Sequence, residues 1–209
     1  MEIEYKGANS LVFKAGPTSL VLDPKLSLVG KKDLKVEGLI ELVTNPEFAV
    51  NSEAKPKISI EGPGEYEVSG VSIRGVAAKS YSNEESKAVI YRLDIGGFRV
   101  AVLGHIKSPL SDSQLEGLGV VDIVTIPIGG NGYTLNAHEA AAIVRQIDPK
   151  VVIPTHYKDN DLNYEVDQED MDGFLKELGA TQHDITDKLK MKPGAVLPVV
   201  LTIIEIKRT

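Results

Sequence analysis

The sequence predicts an α/β fold in which two mixed β-sheets pack on one another and helices lie outside them. Three observations carry this. The first hundred residues are a succession of short β-type runs broken by turn signals. From Ser108 onward the pattern changes to helix, strand, helix and strand. Residues 122–127 and 151–153 are apolar nearly throughout, as strands are when both faces are covered. Many strands followed by alternating helix and strand call for layered sheets with helices on the outside.

The elements follow in order. Residues 2–6 alternate apolar and charged, the period of a half-buried strand. Residues 10–14 and 19–22 are short β-type runs split by Ala15-Gly16-Pro17, a turn signal. Residues 39–44 form an apolar run that ends at Asn45-Pro46. Residues 57–60 precede the tight turn Glu61-Gly62-Pro63-Gly64-Glu65. Residues 66–68 and 71–76 read as a hairpin across Ser69-Gly70, and residues 88–94 and 98–103 as a second across Ile95-Gly96-Gly97. Ser111 to Gln114 begins a short helix with acceptors suited to capping. Asn136 caps a helix to about Ile147, with Ala140, Ile143, Val144 and Ile147 on one stripe. Residues 167–178 read as an amphipathic helix with Met171, Phe174, Leu175 and Leu178 inward, ending at Gly179, a good residue just past a helix end. Residues 195–206 read as a closing strand or strand pair, interrupted at Pro198 and belonging to the core. The polar segment 158–168 reads as a mobile loop directly after His156.

Composition bounds the function. A chain of 209 residues suits a single domain spanning 1–209 with a sizeable core. Hydrophobic residues are 42% and charged residues 25%, ordinary for a soluble globular protein. The formal charge of −7 argues against a dedicated nucleic-acid binder. No apolar run approaches ~18 residues, so no membrane span is expected. The start, Met-Glu-Ile-Glu-Tyr-Lys-Gly, reads as a charged strand rather than a signal peptide, and a cytoplasmic location is expected.

Cysteine is absent, which removes disulfides, thiolate zinc sites and cysteine nucleophiles together. Any metal site must use His, Asp, Glu or water, a set suited to Zn, Fe or Mn. The histidines are His105, His138, His156 and His183. His156 stands at a strand end beside a polar loop, either as a ligand or pocket base or as a hydrogen-bonded polar residue. His105 follows a buried strand and is expected in the same pocket. His138 lies in the first turn of the Asn136 helix and reads as solvated. His183 sits in a surface connection without an evident partner. Gly129-Gly130-Asn131-Gly132 lacks the Lys-Ser/Thr of a phosphate loop and reads as a strand-to-helix connection. No Gly-x-Ser-x-Gly elbow is present.

Over nearly its whole length the chain resembles the metallo-β-lactamase superfamily, whose fold is a four-layer αββα sandwich of two mixed sheets. It is most similar to the small bacterial and archaeal branch that looks like the ascorbate-lactone hydrolases. Members of that branch open with a strand ending Gly-His-Ala-Ser and a hairpin ending in Asp-Pro. Here the opening is Gly7-Ala8-Asn9-Ser10, and the hairpin ends Val21-Leu22-Asp23-Pro24. Ala8 stands where the family has histidine. The family's His-x-His-x-Asp-His falls on Asn45, Glu47, Ala49 and Val50. Its bridging aspartate falls on His105, in Leu103-Gly104-His105. Its last histidine matches His156, in Pro154-Thr155-His156-Tyr157.

The resemblance implies a pocket at these positions. It also implies that the usual two-metal centre is not expected, since alanine and valine cannot bind a metal. His156, His105 and Glu47 would give at most one Zn, Fe or Mn, with an open position. Glu47 reads first as a solvated loop carboxylate. Asn45 reads as a turn residue, and Asp23 as structural or as holding a neighbouring pocket group. Two functions remain. One is a non-hydrolytic small-molecule-binding or interaction protein on this fold. The other is a metal-dependent hydrolase of esters, lactones, amides or phosphodiesters with an altered single-metal site. A small-molecule ligand and homo-oligomerisation are compatible with both.

Overall fold

The N-terminal alternation folds as expected. In the computed structural model, which describes residues 1–50, 53, 55–81 and 87–209, β1 (Glu2–Gly7) buries Ile3, Tyr5 and Gly7. The intervening Glu2 and Glu4 pair with Lys14, Glu2 also with Lys188, and Lys6 pairs with Glu4. β1 pairs antiparallel with β2 (Ser10–Ala15), and β2 with β3 (Thr18–Leu22). β3 then runs parallel to β4 (Ile40–Leu42), and β4 parallel to β5 (Ile58–Ile60). A short strand from late in the chain, β13 (Leu189–Lys190), closes the other edge of this six-stranded sheet.

The second sheet has eight strands. Its first half is an antiparallel meander of β6 (Gly64–Val68), β7 (Val71–Lys79), β8 (Lys87–Ile95) and β9 (Phe98–Val102). Its second half is parallel. β9, β10 (Ile123–Pro127), β11 (Val151–Thr155), β14 (Thr202–Ile206) and β12 (His183–Thr186) lie side by side. Every residue of β10 and β11 is buried, as the unbroken apolar runs required.

Two cores explain this. The first joins the sheets, with Phe13, Leu20 and Leu42 meeting Tyr91, Val102 and Ile153. The second lies beneath α1 (Asp112–Leu118), α2 (Ala137–Ile147) and α3 (Met171–Leu178). Leu118, Ile143, Val144 and Phe174 pack there on Ile126 and Val152. Ser111 and Asn136 form complete capping boxes with Gln114 and Glu139, which satisfy amide groups that a helix start leaves open.

Three expectations need correction. The last helix starts at Met171 rather than 167, because the Asp170 side chain caps it by accepting the Gly173 amide. Gln168, just before it, hydrogen-bonds the His156 ring instead. The closing strand is shorter than 195–206. Only Thr202–Ile206 is strand, and Val196 and Val199 are 93% and 92% exposed rather than core. Pro198 interrupts that stretch, which Pro193 and Gly194 precede, and proline cannot donate to a ladder. Finally, His183 lies on edge strand β12, with Nε2 3.0 Å from Glu205 Oε2 on neighbouring β14. The polar 158–168 segment is tethered, since Arg208 pairs with both Asp159 and Asp161.

The topology gathers strand ends. Asp23 follows β3, Thr44 to Phe48 follow β4, His105 follows β9 and His156 follows β11. In parallel α/β sheets, ligands bind beyond the carboxyl ends of strands, where loops diverge and backbone groups are free.

Candidate functional site

The floor of this region is a buried polar network around Asp23. Its carboxylate accepts hydrogen bonds from Asn9 Nδ2 at 2.8 Å, the Thr44 amide at 2.7 Å and Thr44 Oγ1 at 2.7 Å. Ser10 Oγ donates to the Asp23 carbonyl. Asn9 Oδ1 in turn accepts from Thr155 Oγ1 at 2.7 Å, so one asparagine ties the first sheet to β11 of the second. Gly104 permits close approach here, because a Cβ on it would overlap the Thr44 hydroxyl. Burial pushes the Asp23 carboxyl up to about 6, against the opposing pull of its three donors. The expected structural role of Asp23 is thus visible in its bonds, and its side chain also faces the cavity.

His156 leaves β11 in a left-handed conformation, φ 50°, which few non-glycine residues adopt. Its amide donates to the Ala8 carbonyl at 2.7 Å, which holds the turn. Ala8 itself has φ 48°. Where the resemblance places a histidine side chain, this chain therefore uses a main-chain carbonyl. His156 Nδ1 lies 3.0 Å from Gln168 Oε1, while Gln168 Nε2 donates to the Val166 carbonyl at 2.9 Å. The second bond fixes the amide, so Oε1 is the acceptor and Nδ1 carries the proton. That leaves the lone pair on Nε2. Burial holds the imidazole neutral, down to about 4.

His105 is 3% exposed, and neither ring nitrogen has a hydrogen-bond partner among the described residues. Its ring packs on Phe48 at a centroid distance of 4.6 Å, on Tyr133 at 5.1 Å and on His156 at 4.8 Å. Burial first, and the neighbouring His156 second, push its pKa well below the ordinary histidine value. A neutral imidazole has one donor and one acceptor, and leaving either unmet in a buried place costs about 1–3 kcal/mol. Such a cost in a cleft points to a ligand.

Both imidazoles open on a cavity of about 130 Å³. Tyr164 lies tilted against the His156 ring, centroids 4.8 Å apart, and forms one wall, while Tyr133 meets the His105 ring edge to face and lines another. Lys25, Glu47 and Glu165 stand around the mouth.

The structure thus brings together His105, His156, Asp23 and Glu47 around one cavity. Asn45 is buried and its side chain accepts the Glu47 amide at 3.4 Å, the cap of a single 3-10 turn over Pro46–Phe48, as a turn residue should. Glu47 is exposed at the mouth. His138 and His183 lie elsewhere, paired with Glu177 and Glu205. Sequence reasoning missed Phe48, Tyr133, Tyr164 and Gln168. The signal for the last two was present: a polar loop carrying a tyrosine and a glutamine directly after the strand-end histidine.

The donor set fits a metal only in part. Two neutral, buried imidazoles with one tautomer enforced are good ligands, and an outer hydrogen bond such as Gln168 to His156 is what metal-binding histidines usually have. Yet no group of three or more His, Asp or Glu side chains among the described residues is placed to share an ion. Ala49 and Val50 offer no donor side chain.

Comparison with known proteins agrees with this architecture. Residues 2–156 match the family described as the β-lactamase superfamily domain. A Methanosarcina mazei protein named a metal-dependent hydrolase is 28% identical over 140 residues, covering 63% of this chain and 57% of that protein. A Symbiobacterium thermophilum protein of the same name is 35% identical over 99 residues, covering 43% of this chain and 41% of its own length. The matched stretches thus span about half the length of these curated relatives. A metallo-β-lactamase superfamily structure from Thermotoga maritima superposes with a TM-score of 0.79 at 22% identity, over 100% of this chain and 99% of that one. The metallo-β-lactamase fold protein YhfI of Bacillus subtilis does so with 0.60 at 11% identity, over 99% and 96%. With a family match over most of its length and the same two-sheet architecture, this chain belongs to the metallo-β-lactamase superfamily.

Proposed function

We propose that the protein is a small-molecule-binding member of this fold that has given up the hydrolytic two-metal centre. The observation that carries this reading is the His105 side chain, buried at a cavity wall with both nitrogens unmet among the described residues. Replacement of the resemblance's ligand positions by Ala8, Ala49 and Val50 supports it. What remains is a ring-lined cavity with two neutral imidazoles, suited to holding an organic molecule by stacking and hydrogen bonds.

A second reading is a metal-dependent hydrolase with one altered site. The names of the relatives favour it, and so does the Gln168-oriented His156 beside His105. His105 and His156 would hold the ion, which would supply a water of lowered pKa. The incomplete donor set counts against it.

Elemental analysis of protein purified without chelators separates the two readings. The first expects no stoichiometric transition metal. About one zinc, iron or manganese per chain, lost in a His105→Ala/His156→Ala variant, would establish the second.

A further inference from the structure

The charges around the cavity select among ligands. Asp23, Glu47 and Glu165 face it with one opposing charge, Lys25. None of Lys25, Glu47 and Glu165 forms an ion pair among the described residues, and Asp23 is engaged only by neutral donors. Three carboxylates against one ammonium leave the cavity negative.

The walls point the same way. Phe48, Tyr133 and Tyr164 present aromatic rings, whose negative faces attract a cation. His105 adds the independent observation: a side chain 3% exposed whose ring nitrogens lack partners. Its lone pair can accept an N–H from a ligand. A guanidinium or amidinium combines these needs. It is planar, weakly hydrated, stacks on rings and offers several N–H donors.

We propose that this cavity binds a small planar organic cation of the amidinium or guanidinium class, its N–H groups on His105 and its charge between Glu47 and Glu165. The inference rests on the small-molecule reading above. The cavity is about 130 Å³ and open at a mouth lined by Glu47 and Glu165, so an amidinium group can enter while the rest of a larger molecule lies at the opening.

Calorimetric titration of the full chain with benzamidine, benzamide and benzoate tests this. The three share a shape and differ in charge. Benzamidine should bind at least about tenfold more tightly than benzamide, with benzoate weakest. A Glu47→Gln/Glu165→Gln variant, altered only at exposed positions, should lose that preference, and a His105→Phe variant should bind benzamidine more weakly. Benzamide or benzoate binding as tightly as benzamidine overturns the cation while leaving the small-molecule reading intact. Benzamidine binding unchanged in the Glu47→Gln/Glu165→Gln variant overturns it as well, since the attraction would then belong to the acidic surface at large. No binding of benzamidine overturns it outright, and stoichiometric metal in the same preparation removes the small-molecule reading too.

Discussion

His105 and His156 meet edge to face, with ring centroids 4.8 Å apart and planes at 90°. They come from the ends of β9 and β11, far apart in sequence, with β10 between them in the sheet. Each is buried, neutral and supported differently. His156 is oriented by Gln168, whereas His105 is held by rings alone.

Gln168 should matter more than its place in a polar loop suggests. Gln168→Leu leaves the buried Nδ1–H of His156 without an acceptor. Urea denaturation should show a loss of about 1–3 kcal/mol. Nitrogen chemical shifts of the His156 ring should show the single Nδ1–H tautomer give way to a mixture. An unchanged tautomer would mean that Gln168 does not set it.

Gly129 is required for the same bond. A Cβ there would overlap Gln168 Oε1 and the His156 carbonyl. Gly129→Ala should therefore cost about 1–3 kcal/mol by overpacking and reproduce the tautomer change of Gln168→Leu. Gly132→Ala is a weaker comparison for packing, since a Cβ there meets nothing within 4 Å, though its φ of 75° is itself strained for alanine.

The pH dependence of stability has two opposed parts. The charged form of histidine is the protonated one, so burial makes the native state bind fewer protons than the unfolded chain. For His156, with 6.5 lowered to about 4, stability is present above 6.5 and is lost as pH falls through 4. His105 acts in the same direction. For Asp23, with 3.8 raised to about 6, the contribution is present below 3.8 and is lost as pH rises through 6. A His105→Phe/His156→Phe variant should therefore lose less stability than the parent between pH 6.5 and 4, by about 3 kcal/mol or more. Parallel stability curves for the two proteins would show that the histidines are not buried in this way.

The exposed valines near the end of the chain give a direct check of the shortened strand. Val199→Ser should change stability by no more than about 0.5 kcal/mol. Ile203→Ala, in the core of β14 and fully buried, should cost about 2–5 kcal/mol. Equal losses would place Val199 in the core after all.

The sequence by itself determined two packed sheets with helices outside them. The reason is local: alternation in residues 2–6, unbroken apolar runs at β10 and β11, and capping residues at Ser111 and Asn136 each specify their element within a few residues. The resemblance, rather than any local pattern, put His105, His156, Asp23 and Glu47 at one pocket, with Glu47 read first as a solvated carboxylate and Asp23 as structural. The sequence failed where the outcome depended on distant partners. Residues 195–201 are apolar enough for a core strand, but Pro198 interrupts them and their valines stay in water. His183 found Glu205 only because β12 adds to the sheet edge beside β14. Phe48, Tyr133 and Tyr164 looked like ordinary loop and core aromatics until the fold set them around one cavity. Only the tertiary structure decided that Gln168 would aim His156 while His105 was left without a polar partner among the described residues, because hydrogen bonding in a cavity depends on which side chains meet there and no local pattern encodes it.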